Sequence, residues 1–357
     1  MRRPERPGGA TLADVARLAG VSRMTVSRVI NRDAKVRETT RQTVQAALDE
    51  LNYEPNLAAR TLVMAGELRI GVIYANPSAA FMSDFLIAVF EEATRAGARL
   101  ILLRGENRQA PEPEELQRWL RSGIKGALLA PPLGESTAVR NVLRAANLPV
   151  AVVAAGRPSE DAITVRIDDR QASQAMTRHL LDLGHRRIGF ITGNPEQSAS
   201  AERLLGARAA VAAVTGAELV TAQGTFSYSS GLEATDWLLD SERPPTAIFA
   251  SNDDMAAAAV SVAQRRRLDV PRDLTVVGFD DTTMATTLWP PLTTIRQPVG
   301  QLAAVALERL IHALRASDPA AEACADYVLG HALIERQSTA PPRDLTAPEA
   351  DGDPSHD

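Results

Sequence analysis

Apolar residues recur at helical spacing near the start of the chain and give way, from Leu68 onward, to short unbroken apolar runs set between amphipathic stretches. This change of period predicts a small helical head followed by a larger body of alternating strands and helices. In the head, Leu12, Val15, Ala16 and Ala19 fall on one helical face. Gly20 supplies the left-handed turn that ends that helix, and Ser22 caps a second one beginning at Arg23. Val26, Val29 and Ile30 then point inward, which leaves Arg23, Met24, Thr25, Ser27, Arg28 and Asn31 outside. A third helix is predicted over Arg37 to Leu51, with Val44, Ala47, Leu48 and Leu51 facing the other two. Two short helices joined by a tight glycine turn, with a polar and basic outer face, suit the base edges and phosphates of a DNA major groove.

The body begins with the runs LRIGVIY, ARLILLR, GALLAP and PVAVVAA, separated by helical segments at residues 83–96, 112–122 and 135–146. A second series follows, with AITVRID, RRIGFIT, ELVTAQ, TAIFAS and LTVVGFD interleaved with helices near residues 172–183, 199–215, 229–239 and 254–266. Continuous apolar strands alternating with helices imply parallel sheets covered on both faces, and two such series imply two doubly wound lobes. Ligands of such folds sit at the carboxyl ends of the strands.

Length and charge sharpen this division. A chain of 357 residues holds a small domain and sizeable further cores. Residues 1–64 carry 11 Lys and Arg against 7 Asp and Glu, whereas the remainder carries 28 against 37, within a total of -5. The basic end is the polyanion-binding end, and the acidic body is repelled from DNA. One cysteine, Cys324, forms no internal disulfide, and the five histidines show no metal-ligand spacing, so no metal and no cofactor are expected. Arginines at the start are not followed by an apolar segment, and no run reaches membrane-spanning length, which points to the cytoplasm and away from membranes. Nucleotide-binding glycine loops, GxSxG and HExxH are all absent, so the chain is not expected to be an enzyme. The acidic pairs Asp253-Asp254 and Asp280-Asp281 follow strands, where helix capping and hydrogen bonding to a ligand account for them.

The words LADVARLAGVSRMTVSRVIN and TRQTVQAALDELNYEPNLAARTL, followed by LLDLGHRRIGFITG, ASNDDMA, LTVVGFDD and PPLTTIRQP, closely resemble the lac repressor family (LacI/GalR) of bacterial transcription regulators over residues 11–338. The resemblance implies an all-α helix-turn-helix DNA-binding domain at residues 11–55, a hinge at 56–66, and an α/β bilobal periplasmic-binding-protein-like body of two doubly wound parallel sheets at 67–338. Within that body, lobe 1 spans about 67–165 and 298–328, and lobe 2 about 166–297 and 329–338. It also implies that DNA contacts extend to Thr11, Ser22 and Asn56, and that Leu62 of the hinge wedges into the minor groove at the operator centre. Such a wedge unstacks a base step and kinks the duplex. Residue by residue, the effector positions carried over are Arg203, whose fork reaches a hydroxyl or carboxylate, Phe226, which stacks on a flat ligand face, Asn252 and Asp280.

This chain departs from better-known members on the first-lobe wall. Phe81, Met82 and Phe85 are expected to line the cleft there, and Ala154 and Ala155 stand where many relatives place an aspartate. That weakens a simple-sugar assignment and leaves open a larger saccharide, a glycoside with an apolar part, or another metabolite. Residues 339–357, rich in Pro, Asp and Ala without a leucine heptad, are expected to be disordered, so a homodimer is expected. The expected function is a dimeric, ligand-responsive regulator, most often a repressor of carbohydrate uptake or catabolism genes in this family. It would bind a pseudo-palindromic double-stranded operator and a small-molecule effector, a sugar or sugar derivative. Two alternatives are a metabolite-binding transporter component, against which the helical head counts, and an enzyme on a doubly wound scaffold.

Overall fold

The computed structural model describes residues 12–30, 36–51, 67–75, 78–105, 109–316 and 324–343. The chain divides into two compact units, residues 1–67 and 68–357.

In the first unit, α1 (Leu12–Leu18), α2 (Arg23–Ile30) and α3 (Glu38–Glu50) enclose a small core of Val15, Ala16, Ala19, Val26, Val29, Val44 and Ala47. Leu48 and Leu51 pack against it. Gly20 sits at φ 66, and the Val21 N–H returns to the Ala16 carbonyl at 3.1 Å, which closes α1 in a left-handed cap that favours glycine. The Ser22 hydroxyl accepts from the Thr25 N–H at 3.1 Å and so supplies one of the bonds that the start of α2 lacks.

The second unit holds two six-stranded sheets. In the first, β1 (Arg69–Tyr74), β2 (Arg99–Arg104), β3 (Gly126–Leu129), β4 (Val150–Val153), β5 (Ile163–Ile167) and β11 (Asp326–Leu329) are ordered β11-β5-β4-β3-β1-β2, all parallel. In the second, β6 (Arg187–Thr192), β7 (Glu218–Gln223), β8 (Ala247–Ala250), β9 (Thr275–Asp280), β10 (Thr293–Arg296) and β12 (Ala332–Ile334) are ordered β12-β10-β9-β8-β6-β7. The second sheet departs from the all-parallel expectation at one edge, where β12 runs antiparallel to β10. A strand of three residues reached directly from the neighbouring lobe needs no crossover helix, and antiparallel pairing is what such a return permits.

The strands β3, β4 and β8 are buried along their whole length, because helices cover both faces of each sheet. Helix Val299–Arg315 packs on helix Ala79–Ala96 and on β3, β4 and β5, so after β10 the chain re-enters the first lobe and covers its sheet. Residues 339–343 correct the expectation of a disordered tail from 339 onward. The Ala340 carbonyl accepts from the Thr275 hydroxyl at 3.0 Å and lies 3.0 Å from His185 Nε2, while Arg343 meets Asp273. These bonds tie the segment to the second lobe, where its backbone groups find partners that a solvated tail lacks.

Candidate functional site

All strands but one are parallel within each sheet, so each sheet presents its carboxyl ends along one edge, and the residues that follow them line a common cleft. From the first lobe come Ser78 and Phe81 after β1, Pro131 after β3 and Ala154 after β4. The second lobe contributes Gln197, Ala199 and Arg203 after β6, Phe226 after β7, Asn252 after β8, Asp280 at the end of β9 and Gln297 after β10. The cleft holds an empty volume of ≈ 360 Å³, within the range of small-ligand sites.

Five of the six residues expected at an effector site therefore converge: Phe81, Arg203, Phe226, Asn252 and Asp280. Phe85 does not. It is fully buried in the first-lobe core, as Met82 largely is, because helix Ala79–Ala96 starts earlier than its apolar pattern suggests and turns both side chains toward the sheet. Ser78, Pro131, Gln197, Ala199 and Gln297 were not singled out by sequence. Reading the residue that follows each strand end would have found Gln297 and Pro131; the remaining three depend on how the loop folds back.

Arg203 is the central charge of the site and is itself buried. Its Nε donates to Asp169 Oδ1 at 2.7 Å, its Nη1 donates to the Ser251 carbonyl at 2.5 Å, and Asp280 Oδ1 lies 3.9 Å away. The guanidinium plane rests on Phe279, with Cζ 3.6 Å from the ring centroid. Most of the fork is thus held by the protein, and only Nη2 remains for a ligand among the described residues. Asp280 accepts from Gln297 Nε2 at 2.5 Å. Asn252 lines the cleft but corrects the expectation of an uncommitted amide. Its Oδ1 accepts from the Met255 N–H at 3.0 Å and caps helix Asp253–Arg265, while its Nδ2 donates to the Phe226 carbonyl at 3.0 Å. That second bond helps hold Phe226 at φ 62, an uncommon conformation for an aromatic residue.

The acidic pairs resolve into different roles. Asn252, not an aspartate, caps the helix; Asp253 instead accepts from the Thr282 N–H at 2.8 Å, the Thr282 hydroxyl at 3.1 Å and the Thr294 hydroxyl at 2.7 Å. Burial raises the Asp253 pKa to about 7 against the pull of these donors. Burial also pushes the Asp280 pKa well above the ordinary carboxylate range, and raises Asp169 despite its Arg203 partner. Asp281 pairs with Arg296 and Arg336 at 2.6 and 2.5 Å.

On the head, Arg23, Met24 and Arg28 are exposed on α2, with Met24 at 65 %. Thr25 is half-buried, in contact with Ser22. Thr11, Asn31, Asn56 and Leu62, and the expected hinge at 56–66, lie outside the residues described, as does the side chain of Ser27.

A helix-turn-helix head and a bilobal body with a polar cleft at its strand ends define a DNA-binding regulator. Residues 11–56 match the family described as bacterial regulatory proteins, lacI family, and residues 177–339 match the periplasmic binding protein-like domain. The HTH-type transcriptional repressor PurR of Photobacterium profundum is 34% identical over 310 residues, covering 86% of this chain and 92% of its own. The ribose operon repressor of Escherichia coli (strain K12) is 32% identical, covering 85% and 92%. The Lac repressor dimer bound to operator and the anti-inducer ONPF superposes with a TM-score of 0.75 at 28% identity, over 93% of this chain and all of that one. A CelR–cellobiose complex gives 0.67 at 30% identity, over 92% and 99%. This chain belongs to the lacI family of bacterial transcriptional regulators.

Proposed function

We propose that the protein is an effector-responsive repressor of carbohydrate uptake or catabolism genes, acting as a homodimer on a pseudo-palindromic operator. The observation that carries this reading is the cleft. A buried arginine, a carboxylate and two glutamine side chains converge on a cavity between two lobes, in a chain whose head is a DNA-reading unit. The sugar-bearing complexes among its structural relatives, with cellobiose and with ribose, agree with a sugar or sugar derivative as effector.

In this reading the effector binds one relation of the lobes better than another and thereby shifts the population of DNA-binding dimers; equal affinity for both would shift nothing. Dimer contacts fall on the apolar side chains left exposed on the body, Ile87 and Phe90 on one lobe and Tyr228, Trp237 and Trp289 on the other. Leu62, in the expected hinge, acts as the central minor-groove wedge. Leu62→Ala then lowers operator affinity and bending while ligand binding stays intact.

The test is selection of bound sites from random and genomic DNA with the full chain, followed by operator affinity with and without candidate sugars. An inverted repeat whose occupancy changes with a sugar supports the proposal. Binding without sequence preference, or sugar binding with unchanged occupancy, overturns it.

A further inference from the structure

The two walls of the cleft differ in what they leave for a ligand. On the second lobe, Gln197 is 6% exposed, lines the cavity, and has no hydrogen-bond partner for its side-chain amide among the described residues. Arg203 Nη2, the second oxygen of Asp280 and the amide oxygen of Gln297 are likewise unmatched among the described residues once the bonds above are counted. Donors and acceptors alternate in this set. A hydroxyl that both donates and accepts satisfies such a set, whereas an apolar group would leave each of these buried polar atoms unpaired.

The first lobe offers the reverse. Phe81, Pro131 and Ala154 present carbon, and the polar residue among them, Ser78, is already used. Its hydroxyl oxygen accepts from the Phe81 N–H at 3.3 Å, and it is hydrogen-bonded to the Asp254 carboxylate from the opposite lobe. A free hexose carries hydroxyls around its whole rim, so one edge would lose water against this wall and gain no partner in return.

We propose that the cleft is built for a glycoside bound in one orientation, its sugar hydroxyls on Gln197, Arg203, Asp280 and Gln297 and an apolar aglycone against Phe81, Pro131 and Ala154. This rests on the cleft being the effector site. It adds which chemistry selects the effector, and it makes Ala154 and Pro131 specificity-determining positions.

The experiment uses the full chain and calorimetric titration with D-glucose, D-galactose and D-mannose, each compared with its own phenyl glycoside. The phenyl glycoside of the best-bound sugar is expected to bind at least tenfold tighter than the free sugar. Ala154→Asp places a carboxylate on the apolar wall. Ala154 sits at φ 55, a conformation that aspartate adopts more readily than most residues, so the backbone accepts the change. This variant is expected to gain affinity for the free sugar and lose it for the phenyl glycoside; Pro131→Asn, at a half-buried position, provides the same reading should A154D fail to fold. Gln197→Leu is expected to weaken both probes at least tenfold.

Free sugars binding as tightly as their phenyl glycosides, no phenyl glycoside binding, or a phenyl preference that survives both wall variants overturns the assignment. A chain that selects an inverted repeat yet fails these tests loses only the aglycone. One that binds phenyl glycosides but shows no sequence-specific DNA binding loses the regulator reading and keeps the cleft assignment.

Discussion

Gly156 donates its backbone N–H to Ser198 Oγ at 2.9 Å, a bond that joins the loop after β4 in one lobe to the start of helix Ser198–Ala212 in the other. The Ser198 N–H in turn donates to Glu135 Oε2 at 3.0 Å, and Arg157 meets Glu202 at 2.7 Å. The lobes are thus clasped beside Gln197 and Ala199 of the cleft. A Cβ at Gly156 would come within 2.4 to 2.6 Å of the Ser198 and Ala199 backbone, where no side chain can swing away.

Gly156→Ala is therefore expected to hold the lobes apart. Its overpacking penalty is about 1–3 kcal/mol in a rigid contact, and opening relieves it. Small-angle scattering should show a larger radius of gyration, and effector affinity should fall by roughly tenfold or more, since about 1.4 kcal/mol corresponds to tenfold. Unchanged scattering and affinity would show that the clasp gives way locally.

Arg203→Ala is expected to lower stability as well as remove a ligand contact. It strands Asp169, which is buried and otherwise paired at 2.7 Å, and breaking a buried pair from one side costs about 3–5 kcal/mol. Urea unfolding measures this. Asp280→Asn leaves the fold closer to intact and is the cleaner test of effector contact: loss of response with near-normal operator binding is the expected result.

The pH dependence follows from the buried carboxylates. Asp253, raised by burial to about 7 from an unfolded value near 3.8, holds its proton more tightly in the folded state, and Asp280 is raised in the same sense. The folded state binds more protons between these values, so this contribution is fully present below about 3.8 and is lost as pH rises through about 7. Asp253→Asn should flatten the fall in body stability across roughly pH 4 to 7, read from melting temperature against pH. An unchanged slope would assign the titration to other groups.

On the head, Arg28→Ala is expected to weaken specific operator binding by about 1–3 kcal/mol while non-specific binding changes far less. Equal losses on operator and random DNA would make Arg28 a phosphate contact. Met24 lacks a strong donor, so Met24→Ala should alter preference at a position with a thymine methyl, read by site selection.

Charge on the exposed aromatic surface tests assembly. Trp289, 72% exposed, and Phe90, half-exposed, lie on separate lobes. Phe90→Glu with Trp289→Glu should shift the protein from dimer to monomer in sedimentation and with it abolish tight binding to a full palindrome, because half-sites then bind independently.

Local sequence determined much of this protein. The spacing of Val15, Ala16, Ala19, Val26 and Val29, with Gly20 and Ser22 between, specifies the paired helices because caps and amphipathic faces are short-range properties. Apolar runs such as VAVV and AIFA likewise announce strands covered on both faces. The family words carried Arg203, Phe226, Asn252 and Asp280 to one cleft. Tertiary structure decided what those residues do there: most of the Arg203 fork is spent on Asp169 and Ser251, and the Asn252 amide on Phe226 and a helix cap, because residues far apart in sequence arrive beside them. It also placed Phe85 in the core instead of the cleft, since successive side chains of a helix point about 100° apart and packing against the sheet chooses which of them turn inward. Gln197 carried no signal in sequence, as a polar residue in a loop is ordinarily solvated; only the closing of one lobe on the other buries its amide and leaves it facing a cavity.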